Sequence, residues 1–558
     1  MVPVPDKIAG KLDQALAALQ LGEQGRAERL LLNVLRSSPR RLEALVLLSR
    51  IRARQGRLDD AAALLQRAGQ NRPDDADAQY NLGVAWGELD SHDHAIVCYR
   101  NALRADPHHL DASNNLAATL IAVSRWSEAL PVLQDGLKHH PNDAALLGKI
   151  GVALKETGRV DEAIRIYHRA ISIKPREASI HANLGLALQE LGRLDEAIAS
   201  FRRALSLGPE THTRSLLALA LYENGQVDAA IETMRQATAL CPQDPELHAN
   251  LGMMLLAKGQ FGEGWAEREY RAARQRPHTD RPWVEAPFWK GEALAGRSIL
   301  VHAEQGLGDT LQFARYLPLL AARKAAVTFA CQAALIPILR SLAGNIRIVA
   351  RPHADERFDF QAALLSLPGR FGTGQSNVPN KVPYLAIEDA AVACWRERIK
   401  GRGLAVGISW QGNPEFVGDR ERSIPLQEFA PLADISALRL ISLQKGAGAD
   451  QITKVPFASR IAAPLDPQDV GPEAIIDTAA VMMSCDLIVT SCTMTAHLAG
   501  ALARPVLVAL RHIPDWRWLL AGDESAWYPT ARLFRQPRPR DWQDVFARIA
   551  AEVRARVA

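Results

Sequence analysis

The segment EQGLGDT (304–310) places two glycines, Gly306 and Gly308, before an acid, Asp309, directly after a short apolar run. Glycines there let the backbone turn tightly, and Asp309 and Thr310 open a helix, where an Asp can serve simply as the N-cap. GDRERSIPL (418–426) follows another apolar run and offers Arg420, Arg422 and Ser423, with Asn413 just upstream. Guanidinium groups grip phosphate oxygens in pairs, although a charged loop facing water needs no ligand. Gln444 and Lys445 stand at the end of a third run, in SLQKG. In DLIVTSCTMTAHLAGAL (486–502), a strand leads through a Ser/Thr loop into a helix. The free N–H groups there suit an anion, with Thr493, Met494 and Thr495 supplying amides or hydroxyls and His497 in the first turn. Cys492 reads as a small buried residue or a nucleophile. Trp516 and Trp518 of PDWRW stack on a base or sugar, or pack against a sheet.

The elements positioning these groups read as strand–loop–helix units. Apolar runs at 298–303, 326–331, 346–350, 404–410, 438–444, 486–490 and 505–510 alternate with helical segments, which predicts parallel sheets covered by helices. The Pro/Gly-rich segment 368–383 and a helix near 388–400 divide the region into two doubly wound, Rossmann-like lobes, 298–390 and 391–558. Facing lobes bring the C-terminal ends of their strands together, where a nucleotide binds. An amphipathic helix at 541–557 is expected to pack back across the lobes. Dehydrogenase-type GxGxxG, Walker A and HExxH signatures are absent, and the one DxD triplet, Asp75–Asp77, lies far upstream. That favours chemistry without a metal, and no cofactor is expected beyond a nucleotide co-substrate.

The first half has a different texture. Pro39, Pro73, Pro107, Pro141, Pro175 and Pro209 recur every 34 residues, and Pro242 follows 33 later. Glycines stand ten residues after several of them, at Gly83, Gly151, Gly185 and Gly252, and pairs such as Ala95/Ala102 and Ala163/Ala170 recur. Two antiparallel helices per unit are predicted, with small residues where they approach and proline ending the second. Residues 6–272 thus resemble an α-solenoid of tetratricopeptide repeats, and 273–297 read as a Pro/Trp-rich linker. Such a solenoid offers a groove for an acceptor protein or peptide. Asn81, Asn115, Asn183 and Asn250 recur two residues before the small position, interrupted by Lys149 and Leu216. An amide ladder binds extended peptide backbone, and the alternative is a tolerated polar face. A similar ladder is a feature of protein O-GlcNAc transferases.

Bulk properties narrow the class. A length of 558 residues exceeds one core, and a net charge of +4 makes no case for nucleic acid. MVPVPDK lacks the pattern of a secretory signal, no apolar stretch is long enough to span a membrane, and the six cysteines form no CxxC pair. A cytoplasmic protein with reduced thiols is the expectation.

The strings HAEQGLGDTLQFARY (302–316), GNPEFVGDRERSIPL (412–426), SLQKG (442–446), TAHLAGAL (495–502) and PDWRWLL…SAWYPTARLFRQ (514–536) resemble the catalytic region of bacterial tetratricopeptide-repeat glycosyltransferases. That region is itself similar to the lipopolysaccharide heptosyltransferases of glycosyltransferase family 9. The resemblance implies a metal-independent GT-B enzyme, of EC class 2.4, that moves a sugar from a nucleotide-sugar to a Ser or Thr of a protein, flagellin among the acceptors of relatives. It implies Asp309 as general base. Donor binding falls to Gly306, Gly308, Asn413, Arg420, Arg422, Ser423, Gln444, Lys445, Thr493, Met494, Thr495 and His497. Relatives usually carry Asp-Thr where this chain has Cys492-Thr493. That departure keeps open an inactive scaffold, beside a transferase acting on a glycan or lipid-linked saccharide.

Overall fold

The computed structural model describes residues 7–70, 73–271, 284–415, 418–469, 471 and 473–557, the side chains of Lys7 and Arg420 apart. The first part of the expected linker, 273–283, therefore lies outside the described residues. The chain forms two compact units, Met1–Ala220 and Leu221–Ala558.

Sixteen helices, from Lys7–Gln20 to Phe261–Arg268, form the helical array among the described residues. The periodic glycines have a specific partner sixteen residues on. A Cβ on Gly83 would lie 2.5 Å from the Tyr99 ring, one on Gly151 2.3 Å from Tyr167, and one on Gly185 2.6 Å from Phe201. Each aromatic ring packs against the bare backbone of the preceding helix, which fixes the pair's approach. At Gly252 the neighbour is instead the Arg268 side chain, at 2.7 Å, with the Gly264 carbonyl at 2.9 Å.

The last helices of the array belong to the second compact unit, and the reason is visible in their contacts. Trp265 donates its indole N–H to the Thr373 carbonyl at 2.8 Å and meets Trp516 edge-on at 5.3 Å. Arg271 bonds Glu304 at 2.9 Å, with both side chains nearly inaccessible, and Arg370 reaches back to Glu269. The array thus ends in a face built to pack on the sheets, although the sequence changes texture some fifty residues later than the compact boundary.

Two parallel sheets follow. β1 (Ser298–His302), β2 (Ala326–Ala330), β3 (Ile346–Val349) and β4 (Phe360–Ala363) lie in the order β3-β2-β1-β4. β5 (Leu404–Ser409), β6 (Leu438–Ser442), β7 (Ile461–Ala462), β8 (Leu487–Ser491), β9 (Val506–Leu510) and β10 (Ala531–Arg535) form the second, in the order β10-β9-β8-β5-β6-β7. All seven predicted runs are strands. β4, β7 and β10 are additional, and PDWRW lies between β9 and β10. In each sheet the order reverses once, between β1 and β4 and between β5 and β8.

The terminal helix Trp542–Val557 does not span both sheet regions. Its Val545, Phe546, Ile549 and Val553 are sealed into the core of the second sheet with Val406, Ile408, Phe429 and Leu440. Phe546 meets Phe429 at 4.3 Å. The helix Asp389–Arg398 also belongs there, since Trp395 donates to Asp477 at 2.7 Å.

Candidate functional site

Both reversals in strand order carry the candidate residues. β1 ends at His302, and its chain turns through Gly306 into the helix Leu307–Phe313. Gly306, not Asp309, is the N-cap, with φ −65 and ψ 168. Asp309 sits three residues further in, so its carboxylate is released from capping and reaches across to the other sheet region. Gly308 explains how the two regions approach so closely. A Cβ there would stand 2.9 Å from His497 Cδ2 and 3.5 Å from the Met494 Cα. The helix Leu307–Phe313 therefore meets the start of the helix Met494–Ala501 backbone to backbone.

Arg517 spans that meeting point. It forms an ion pair with Asp309, donates from Nε to Gln312 Oε1 at 2.8 Å, and donates from Nη1 to Asp515 Oδ1 at 2.8 Å. Burial alone would weaken its hold on the proton, but Asp309 and then Asp515 outweigh that and raise its pKa. A second buried arginine, Arg315, ties the same two regions together. It donates to the carbonyls of Trp527 at 2.6 Å and Pro379 at 3.2 Å and to the Tyr384 hydroxyl at 3.1 Å.

The loop between β8 and the helix Met494–Ala501 contains unsatisfied donors. The Ser491 and Thr493 hydroxyls are buried, at 0% and 8% exposure, and have no hydrogen-bond partner among the described residues. Thr493 is the helix N-cap, yet its side chain caps nothing. The neighbouring Gln312 Nε2 is likewise buried without a partner. Thr495 bonds across to Ser409, at the end of β5, at 3.3 Å. The crevice beyond β5 and β8 is thus polar, hydroxyl-lined and flanked by a helix N-terminus, the setting in which parallel sheets bind anions.

The remaining predicted donor residues divide. Ser423 and Arg422 sit beside this crevice, organised by Asp419, whose carboxylate accepts from Arg422 Nε at 3.0 Å and from the Ser423 hydroxyl at 2.7 Å. Arg420 lies in the turn Asp419–Arg422, and its side chain is outside the described residues. Asn413 Oδ1 accepts from the Glu415 amide at 3.1 Å, bracing its own turn. Met494 is half-buried and contributes backbone to the approach of Gly308.

Three residues are committed elsewhere. Gln444 accepts from the Trp410 and Gln411 amides, both at 3.0 Å, and donates to the Gln411 and Ala447 carbonyls at 3.0 and 2.8 Å. Its amide is consumed in tying strand ends together, because backbone groups leaving the sheet need partners. Lys445 pairs with Asp469 at 3.2 Å. His497 bonds the Tyr528 hydroxyl at 3.1 Å and stacks on Trp518 at 5.5 Å. Burial, then Arg517, pushes its pKa down to about 3, so the ring is a neutral packing element.

Cys492 accepts the Trp518 indole N–H at 2.9 Å, and burial pushes its thiol up to about 12. It is a protonated thiol and no nucleophile. Trp516 and Trp518 are both packed: Trp516 stacks on Phe313 at 6.1 Å, while Trp518 lies against His497. A separate cavity of about 470 Å³ opens at the ends of β1, β2 and β3, lined by His302, Glu304, Gln305, Gln332 and Arg351 among others. Gln332 joins it to the Asp309 helix, accepting from Thr310 at 3.0 Å and donating to the Gln305 carbonyl at 2.6 Å. Arg517, Gln312, Ser409 and Ser491 were not predicted. Arg517 lies inside PDWRW, where its flanking tryptophans dominate the pattern.

In the array, Asn81 is exposed and bonds its own helix at the Asp77 carbonyl, 2.8 Å away, while Asn115 donates to the Tyr80 hydroxyl at 3.4 Å. Asn183 and Asn250 are half-buried. Lys149, which interrupts the series, donates to both oxygens of Asn114, at 2.9 and 3.0 Å.

Tetratricopeptide-repeat models match residues 12–76 and 149–212, 89–150, and 218–259. The array is built of tetratricopeptide repeats. Such repeats make it a surface for holding protein partners. Protein FlbA of Caulobacter vibrioides is 26% identical over 326 residues, which are 54% of this chain and 54% of FlbA. The chain therefore matches only about half the length of that relative. Among solved structures, a tetratricopeptide repeat protein from Parabacteroides merdae is 18% identical with a TM-score of 0.37, covering 44% of this chain and 98% of its own. TTC0263, a thermophilic repeat protein of Thermus thermophilus, is 26% identical with a TM-score of 0.29, covering 32% and 99%. No helix among the described residues is long and apolar enough to cross a membrane.

Proposed function

We propose that the sheet region is a two-lobed glycosyltransferase that moves a sugar from a nucleotide-sugar onto a Ser or Thr hydroxyl of a protein held by the repeats. One observation carries this reading. The strand-order reversals of both sheets meet where Gly308 lies against Met494 and His497; Arg517 pairs with the Asp309 carboxylate there, and the unpartnered Thr493 hydroxyl is one residue along the chain from Met494. A transfer of this kind needs a carboxylate to take the acceptor's proton and polar donors to receive the departing phosphate. Asp309 takes the first role. The second falls to Thr493, Ser491, the helix amides and the Arg422–Ser423 turn. The cavity beyond β1 offers room for the acceptor segment. Ion pairing with Arg517 occupies one carboxylate oxygen of Asp309, so the pair must loosen before the proton moves.

An inactive scaffold is the second reading, favoured by Cys492. A neutral thiol capped by Trp518 replaces the acid found in relatives, and Gln444 has no valence left for a ligand. Mass spectrometry of acceptor proteins, flagellin first, separates the two. A strain lacking this chain is complemented with wild type or Asp309→Ala. The transferase reading expects a sugar mass missing in the deletion and not restored by Asp309→Ala. Unchanged masses in the deletion contradict it, and full restoration by Asp309→Ala removes Asp309 from the chemistry.

A further inference from the structure

Lys149 interrupts the amide series of the array, and its surroundings differ from those of an ordinary surface lysine. It stands in the helix Ala144–Glu156, the first of its repeat, which packs against the first helices of the repeats on either side, Leu110–Ala122 and Ala178–Glu190. In that row Lys149 takes the place that Asn81, Asn115 and Asn183 hold in neighbouring repeats. The residue is half-buried, and its ammonium bonds only the two oxygens of Asn114, at 2.9 and 3.0 Å. Both acceptors are neutral, so one of the three ammonium protons is left over. No carboxylate lies within ion-pairing distance among the described residues. Burial lowers the pKa of Lys149, and the pull of Asp143 only partly offsets that. Asp143 is itself engaged in capping the helix, accepting from the Ala145 and Leu146 amides at 2.7 and 3.0 Å. A cation drawn partly out of water without a counter-charge costs free energy that an arriving carboxylate recovers. The amides flanking it are open as well. Asn183 has no hydrogen-bond partner among the described residues, and Asn115 makes only the 3.4 Å bond to Tyr80.

We infer that Lys149 reads charge in the protein segment that the repeats hold: an extended stretch lies along Asn115 and Asn183 and places an Asp or Glu side chain on the Lys149 ammonium. This rests on the repeats holding a protein segment, as proposed above, and needs nothing from the sheet region. Side-chain amides bind peptide backbone whatever its sequence, so a row of them alone fixes neither register nor partner. One ammonium within the row supplies both, because it rewards a carboxylate at a single position. A partly dehydrated pair is screened less than the same pair on an open surface, so the preference for an acid over its neutral amide is large enough to measure.

Selection of random phage-displayed peptides on the full chain, followed by fluorescence anisotropy of the selected peptides, tests this. Wild type should enrich peptides that share an Asp or Glu, and changing that acid to its amide should weaken binding about tenfold. Lys149→Asn copies the residue that neighbouring repeats carry at this position. It should bind the acid and amide forms alike, and its binding of the amide form is its own check of folding. Lys149→Glu should enrich peptides with a shared Lys or Arg instead. Wild-type peptides with no shared acid, or an undiminished preference for the acid in Lys149→Asn, overturn the charge-reading role and leave the repeats as a holder of protein. No enrichment by wild type overturns both. None of these outcomes bears on sugar transfer, which stands or falls by the acceptor masses described above.

Discussion

The repeat array and the sheet region solve the same packing problem in opposite ways. In the array, one contact is reused: a glycine accepts an aromatic ring from sixteen residues on, at Gly83–Tyr99, Gly151–Tyr167 and Gly185–Phe201. In the sheet region each contact is made once and joins distant parts of the chain. Arg517 reaches Asp309 across 208 residues, and Arg315 reaches the Trp527 carbonyl across 212. Repetition gives stability that is spread over many small units, whereas single contacts concentrate it at a few arginines.

The largest expected effect follows from that concentration. Arg315→Met strips hydrogen bonds from the Trp527, Pro379 and Gln312 carbonyls and leaves them buried. It should cost about 3 kcal/mol or more in urea unfolding of the sheet region, leaving the array's transition in place. A single merged transition shifted as a whole would show that the two regions are not energetically separate. In the array, Gly151→Ala forces a methyl group into the Tyr167 ring and should cost roughly 1–3 kcal/mol. Shortening the ring in the double variant Gly151→Ala/Tyr167→Leu should recover part of that loss, and independent losses would break the lock described above.

A smaller effect depends on pH. The His497 ring stays neutral in the folded chain down to about pH 3, against an ordinary value of 6.5. Between those values the unfolded chain binds a proton that the folded chain refuses. Its stabilising contribution is therefore complete above about pH 6.5 and drains away as pH falls, by at most about 1.4 kcal/mol per pH unit. His497→Phe should flatten the acid loss of stability of the sheet region between pH 6.5 and 4. The array should lose stability with acid identically in both proteins.

Legibility follows the same division. The period of 34 made the array readable because the same physical demand recurs and each instance reinforces the others. The strands were readable as apolar runs where both faces are covered, but β4 (FQAA), β7 (IA) and β10 (ARLFR) are too short or too charged to stand out. Residues in the segments that follow strands, such as Asp309, Thr493 and Ser423, were singled out because local turns mark them. Arg517 was not, since its meaning lies in joining Asp309, Gln312 and Asp515, contacts that only the fold creates. Gln444 shows the converse: its place at a strand end is right for a ligand, yet backbone groups leaving the sheet claim every valence.

The central claim is that the meeting point of the two sheets performs sugar transfer with Asp309 as base. Release of nucleoside diphosphate from a panel of nucleotide-sugars, by purified wild type and Asp309→Asn in parallel, tests it most directly. The account predicts release by wild type with at least one donor, and a fall of about a hundredfold or more in Asp309→Asn. Equal release by both proteins, or none by wild type with acceptor protein present, would contradict it.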